Sequence, residues 1–297
     1  VLVDDGGKRR LGAALAWAQR AGVRELHVVA DSYADPSTPG YLAWQAAAFA
    51  NPPAVWSLDA RELVRAPGAP PDPAPRLAAG AASLEGLIRD AGAEVVVEHG
   101  LLRAELAGLE IARAVRDGEG GWRLAVGVGS KDRAALDELR PGEDPRVGLR
   151  RAVETVRRHR RPGVPAHPAN LLCRERWLRT VLVANPDLAG AGVLVPFPPV
   201  LPRGDLSAPS GAPAAGDGVV VVASVGVDVD LVPAAAAARA ASDPAARLVL
   251  VVPEGDDHPL TRRLAATLAR PAQIVTVPRD WQGPVGEASI RSARGAR

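Results

Sequence analysis

The chain has 297 residues, of which 47% are hydrophobic, with 36 basic and 34 acidic side chains and a single cysteine. That is material for one large or two ordinary domains with a substantial core, and the lone Cys173 excludes an intrachain disulfide and a cysteine-based zinc centre. No apolar run reaches the roughly 20 residues of a membrane span, and no basic segment, apolar stretch and cleavage site open the chain, so a soluble, cytoplasmic protein without a membrane partner is expected. The opening VLVDDGG lacks a start methionine, as a fragment or a processed chain would. Lys8 and Lys131 are the only lysines, a bias that points to a GC-rich genome in which arginine serves as the general solubilising cation.

In chain order, Asp4-Asp5-Gly6-Gly7-Lys8 sets glycines before a helix, without the G-x-x-x-x-G-K-[ST] pattern of a phosphate loop. Residues 8–21 then place Leu11, Leu15 and Ala18 at helical spacing, Gly22 closes the segment, and ELHVVAD at 25–31 reads as a buried strand. LAWQAAAFA at 42–50 predicts a second helix, stopped by Asn51-Pro52-Pro53, and AVWSLD at 54–59 a second strand. The proline-rich 66–75 predicts a loop, and 78–91 a helix. Three strand-like runs follow: EVVVEHG at 94–100, ELAGLEIARAV at 105–115, for which a helix is the alternative, and WRLAVGVG at 122–129. Ser130 is placed to cap the helix KDRAALDELR.

Residues 140–179 predict two helices broken at RPGVPAHP and carry eleven arginines against four carboxylates, a local excess of seven positive charges. A proline- and glycine-rich passage at 196–217 leads to strand, helix, strand, helix, strand over 219–277, an order that implies parallel strands. No internal repeat is visible. The fold class expected is α/β: a mixed-sheet domain at 1–139, a basic helical segment and Pro/Gly-rich connection at 140–217, a smaller parallel-sheet, Rossmann-like domain at 218–282, and a disordered tail at 283–297.

Three constellations are candidates for chemistry. In VVVVASVGVDVDLVP, at 219–233, an inner strand turns into an alternation that puts Ser224, Gly226, Asp228 and Asp230 on one face. The next strand ends in Pro253-Glu254-Gly255-Asp256-Asp257-His258, so two acidic clusters are expected to meet at the carboxyl edge of the sheet, where open α/β sheets bind ligands. Asp228, Asp230, Asp257 and His258 are the catalytic candidates there. Asp228, Asp230, Glu254 and Asp256 are candidates for holding Mg²⁺ or Mn²⁺. Carboxylates are equally favoured before helices that carry Pro233 and Pro259 in their first turns.

The second constellation is Glu98, Glu105 and Glu110 on the three-stranded run, with Lys131 after it. Its outline resembles the core of restriction-endonuclease-like nucleases, which implies a metal held by paired carboxylates; the D…(D/E)-x-K pattern of that group is absent, and exposed acids on a hairpin are the commoner explanation. The third is the basic segment. Arg150, Arg157, Arg158 and Arg161 share a broad helical face suited to phosphates, and Trp177, beside Arg176 and Arg179, is a candidate to stack on a base. Cys173 and His27 read as core residues, and His99 before Gly100 as part of a turn.

The segments ELHVVAD, HGLLRAELAGLEIARAV, RLAVGVG, RERWLR, SVGVDVDLVP and LVVPEGDDHPLTRRLA together resemble an uncharacterised protein family of high-GC actinobacteria. The resemblance implies a cytoplasmic bacterial protein of one recurring architecture, and it carries over neither activity nor site residues. The sequence thus leaves three functions open. One is nucleic-acid or other polyanion association with metal-dependent processing, one is binding of a nucleotide or phosphorylated metabolite, and one is a non-catalytic interaction protein.

Overall fold

A computed structural model describes residues 2–4, 11–31, 36–59, 61–118, 120–161, 167–201 and 210–282. The chain begins β1 (Leu2–Asp4), α1 (Leu11–Ala21), β2 (His27–Asp31), α2 (Thr38–Ala46), β3 (Ala54–Asp59) and β4 (Glu62–Arg65). It continues α3 (Ala79–Ala82), α4 (Glu85–Asp90), β5 (Glu94–Glu98), β6 (Leu101–Leu106), β7 (Leu109–Arg116), β8 (Trp122–Val126), α5 (Gly129–Leu139), α6 (Pro145–His159) and α7 (Arg174–Ala184). It ends β9 (Val195–Pro196), β10 (Ala212–Gly216), β11 (Val219–Ala223), α8 (Leu231–Ser242), β12 (Arg247–Pro253), α9 (Pro259–Ala266) and β13 (Gln273–Val277). The protein is therefore mixed α/β, and among the described residues the strands form three sheets. No helix of the described residues is long and apolar enough to cross a membrane.

The chain divides into two compact units, Val1–Pro73 with Leu182–Arg279, and Ala74–Val181 with Asp280–Arg297. The expected boundaries at 139/140 and 217/218 do not coincide with this division. α1 and α2 bury their apolar stripes against α8, a contact between segments far apart in the chain that no local pattern reports. The tail expected at 283–297 and the residues Asp5–Lys8 lie outside the described residues.

In the first unit β1, β2 and β3 are parallel in sequence order, with β4 antiparallel beside β3. β11, β12 and β13 are again parallel in order, and the antiparallel β10 and β9 extend from β11. The all-apolar VVVVA of β11 is buried at every position, as an inner parallel strand should be. α8 is alanine-rich, which favours helix and lets neighbouring helices approach closely. Eight of its twelve residues are buried. Leu11, Leu15 and Ala18 of α1 and Leu42 and Ala46 of α2 join Leu231, Val232 and Ala235 of α8 in one core.

This unit contains the repeat that the sequence hides. The order strand, helix, strand, helix, strand occurs twice. The first residues of α1 and α8, Leu11 and Leu231, lie 220 positions apart, and those of β3 and β13, Ala54 and Gln273, lie 219 apart. The two copies meet at an antiparallel bridge between Phe49 and Leu268. There Ala50 N–H donates to the Thr267 carbonyl and Ala269 N–H to the Ala48 carbonyl, both at 2.9 Å. Exchanging each residue for the one 219 positions away turns either bond into the other, the mark of a local two-fold relation.

The second unit is an antiparallel meander in the order β5-β6-β7-β8, not the three strands expected. The run 105–115 contains a turn: Ala107 and Gly108 have φ of 48° and 73°, and His99 and Gly100, in the turn before, 52° and 76°. Two successive left-handed residues match the twist of tight hairpins. The apolar face of the sheet, with Leu102, Ala104, Ile111 and Leu124, packs against Ala81, Ile88, Leu149, Val153 and Val156 from α3, α4 and α6.

Other local differences have equally local causes. The helix expected at 78–91 is two short ones, α3 and α4, and that expected at 42–50 begins at Thr38, with Pro39 in its first turn, and ends at Ala46. α5 begins at Gly129, so Ser130 lies inside its first turn, and the carboxylate of Asp132 accepts from Val128 N–H. Within the Pro/Gly-rich 196–217, β10 is paired on both sides.

Candidate functional sites: an acidic sheet edge, a buried charge network and an arginine face

β11 ends at Ala223, so the alternation from Ser224 to Asp230 is not the emerging end of a strand but a loop leading into α8. Each acid in it has local work. Asp228 accepts from Asp230 N–H at 2.9 Å, and Asp230 accepts from Gly12 N–H at 2.8 Å, in the first turn of α1. Gly12 is required there, since a Cβ would lie 2.1 Å from the Val229 carbonyl oxygen. The two acidic loops do meet, as expected: Asp256 accepts from Gly226 N–H at 2.7 Å, with Gly226 at φ 87°. A carboxylate of the protein thus takes a backbone amide of the loop between β11 and α8, the kind of amide that a phosphate binds at a helix N-terminus.

Asp257 and His258 at this edge are also engaged within the protein. Asp257 receives both guanidinium nitrogens of Arg262, and His258 Nδ1 accepts from Leu260 N–H as the cap of α9, which carries Pro259 at its start. Glu254 is exposed. Among the described residues no group of three or more His, Cys, Asp or Glu side chains stands close enough to hold a metal ion. Asp228, Asp230, Glu254 and Asp256 therefore do not form the Mg²⁺ or Mn²⁺ site expected of them. The helix-capping explanation, open from sequence, accounts for His258; Asp230 stands at the N-terminal cap position of α8, but its carboxylate reaches the first turn of α1 instead.

The meander acids are also not a metal site. Glu98 and Glu105 project from the charged face of the sheet and are almost wholly buried, at 2% and 1% exposure. Arg176, on α7, bridges them, with 2.5 Å from Nη1 to Glu105 Oε1 and 2.5 Å from Nη2 to Glu98 Oε2. Arg179 stands 3.8 Å from each, and Arg103 donates to Glu98 at 3.0 Å. Glu110 is shared by Arg103, Arg113 and Arg133, and Lys131 is exposed on α5. Burial pushes the Glu105 carboxyl up to about 6, against the pull of Arg176. The exposed-hairpin explanation fails with the metal: these acids are buried counterions of arginine.

The positive excess of 140–179 divides accordingly. Arg176 and Arg179 belong to that network. Arg160, 6% exposed, donates to the carbonyls of Ala107, Ala169, Leu172 and Cys173 and lies 4.4 Å over the ring of Trp177. Trp177 is itself buried and meets Trp281 edge-on at 5.6 Å, so it has no face for a nucleobase. Cys173 is exposed by surface area and not a core residue; its φ is 48°, and partial desolvation by the surrounding protein raises the thiol's pKa, the reverse of an activated nucleophile.

What remains outside is the solvent face of α6. Asp144 caps the helix through Arg146 N–H, Pro145 occupies the first position, and Gly148, Leu149, Val153 and Val156 face the core. That register leaves Arg146, Arg150, Arg157 and Arg158 exposed, with Arg161 exposed just beyond the helix. Arg157 donates to the Gly92 carbonyl at 3.0 Å, and Arg158 comes only within 4.0 Å of Glu154. Arg146 was not among the sequence candidates. The signal was the Asp144-Pro145 start, which fixes the helix register and places Arg146, Arg150 and Arg157 within a narrow arc. No family model, curated protein or solved structure matches this chain.

Proposed function

We propose that the protein binds a polyanion, by its chemistry the phosphate backbone of a nucleic acid, through the exposed arginines of α6 and Arg161. The observation that carries the reading is the separation of arginines by fate: Arg160 and Arg179 are buried and Arg176 is held between Glu98 and Glu105, whereas Arg146, Arg150, Arg157, Arg158 and Arg161 face solvent. Arg146 to Arg157 spans about 16 Å of helix axis at 1.5 Å per residue, enough for two or three successive phosphates. Arginine suits this role because its guanidinium forks onto phosphate oxygens. A processing step is not part of the proposal, since Asp228, Asp230 and Asp256 accept from backbone amides and Glu98 and Glu105 are paired with Arg176. We also read β11-α8-β12-α9-β13 as a Rossmann-like half, on its order of adjacent parallel strands.

The test is equilibrium binding of labelled single- and double-stranded oligonucleotides across a salt series. Replacing Arg150, Arg157 and Arg158 by glutamine should weaken binding and flatten the plot of log affinity against log salt by about 2 to 3 units, at roughly 0.7 to 0.9 per phosphate contact. An unchanged affinity and slope would remove α6 as the binding surface.

A further inference from the structure

The second unit has a cleft of about 350 Å³ bounded by β8, α5 and the start of α6. Its size lies at the lower end of small-molecule sites, roughly 300 to 1,000 Å³. The floor is apolar, from Leu124 and Leu136. On one side Arg123 and Asp137 form a two-pronged pair, at 3.3 and 2.9 Å; on the other Arg151 grips Glu143 at 2.6 and 2.7 Å. A hydrogen bond from Arg151, reinforced by Arg140, holds the Glu143 carboxyl below its ordinary range, so it is a pure acceptor at neutral pH. The cleft therefore offers a greasy base between two edges that each carry a planar donor and a planar acceptor.

That combination matches a nucleobase, which has apolar faces and an edge of alternating donors and acceptors. Arginine donates to ring nitrogens and carbonyl oxygens, and a carboxylate accepts from exocyclic amines. Arg151 lies on the rim and is followed along the same helix by the exposed Arg157 and Arg158. We propose that the cleft takes one unstacked base of a single-stranded nucleic acid whose backbone follows α6. Single strands are selected because a paired base would first have to leave its stack. The proposal rests on the α6 reading for the strand, but the cleft can be probed without it.

Two measurements decide it. A single-stranded 12-mer and an abasic 12-mer of the same length and charge are compared by anisotropy, for the wild type, Glu143→Gln, and Leu136→Trp, which fills the cleft without altering charge. The expected result is about tenfold tighter binding of the base-bearing strand, with the preference lost in both variants and the abasic affinity unchanged. Separately, uncharged adenosine and cytidine are titrated into the protein while the methyl resonances of Leu124 and Leu136 are followed; saturable shifts are expected, and the Leu124 shift should vanish in Leu136→Trp. Equal affinity for the two strands, or no saturable shift from either nucleoside, overturns the proposal. If neither strand binds yet the nucleosides shift those methyls, the cleft assignment stands and the α6 reading alone falls.

Discussion

Arg157 and Arg160 stand three positions apart in one segment, and their circumstances are opposite. Arg157 is exposed and makes a single bond to a carbonyl, whereas Arg160 is buried, donates to four carbonyls and lies over Trp177. Arg176, on the next helix α7, is bound between two buried carboxylates. The lesson is that a local charge excess counts cations without saying whether their counterions lie elsewhere in the fold. In this protein the counterions of Arg176 and Arg179 are Glu98 and Glu105, some seventy residues earlier.

The comparison breaks most severely at Arg176. Arg176→Ala removes the bridge and leaves Glu98 and Glu105 facing each other in the interior, with only the more distant Arg179 and Arg103 nearby. Breaking one partner out of a buried ion pair costs about 3 to 5 kcal/mol. Chemical denaturation should therefore show a large drop in the unfolding midpoint. A loss under about 1 kcal/mol would mean that the network contributes little and that its acids are protonated or hydrated instead.

A smaller effect is written into the pH profile. Burial raises the Glu105 carboxyl from an ordinary 4.5 to about 6, and burial raises Glu94 as well. The folded state then holds more protons than the unfolded one between about pH 4.5 and 6, so stability falls as pH rises through that window. For Glu105 the shift corresponds to about 2 kcal/mol. Glu143 is shifted the other way, below 4.5, so its effect falls outside the window. Denaturation midpoints of the wild type should decline from pH 4.5 to 6.5, and Glu105→Gln should show a visibly flatter profile. Parallel profiles for the two proteins would contradict the assignment to Glu105.

Much of the fold was legible where local chemistry decides it. AVWSLD and RLVLVVP are strands because their β-branched and apolar runs end at turn residues, and α8 and α9 carry Pro233 and Pro259 in their first turns as those prolines announce. The hairpin at Ala107 and Gly108 was not legible, since alanine seldom adopts a positive φ, and the run therefore read as one element. Nor was the repeat: Leu11 and Leu231, or Phe49 and Leu268, preserve burial but little identity around them, and burial is a property of the fold. At the sheet edge the meeting of two acidic loops was legible from strand order, but its meaning was not. Whether a carboxylate caps a helix or awaits a ligand depends on the backbone amides opposite it, such as those of Gly12 and Gly226.

The smallest expected effect on stability is also the sharpest test of the division among the arginines. Arg150, Arg157 and Arg158 bury little and have weak or no acidic partners among the described residues, with Glu154 at 4.0 Å the nearest to Arg158. Exposed pairs of that kind contribute about 0 to 1 kcal/mol, and surface substitutions away from caps and cores usually stay within about 0.5 kcal/mol. Replacing all three by glutamine should thus leave the denaturation midpoint nearly unchanged while the binding and its salt dependence fall as proposed. A protein that loses both together would show that α6 needs these side chains for its own fold, with the Arg157 bond to the Gly92 carbonyl the first contact to examine, and the separation of structural from solvent-facing arginine would have to be redrawn at that residue.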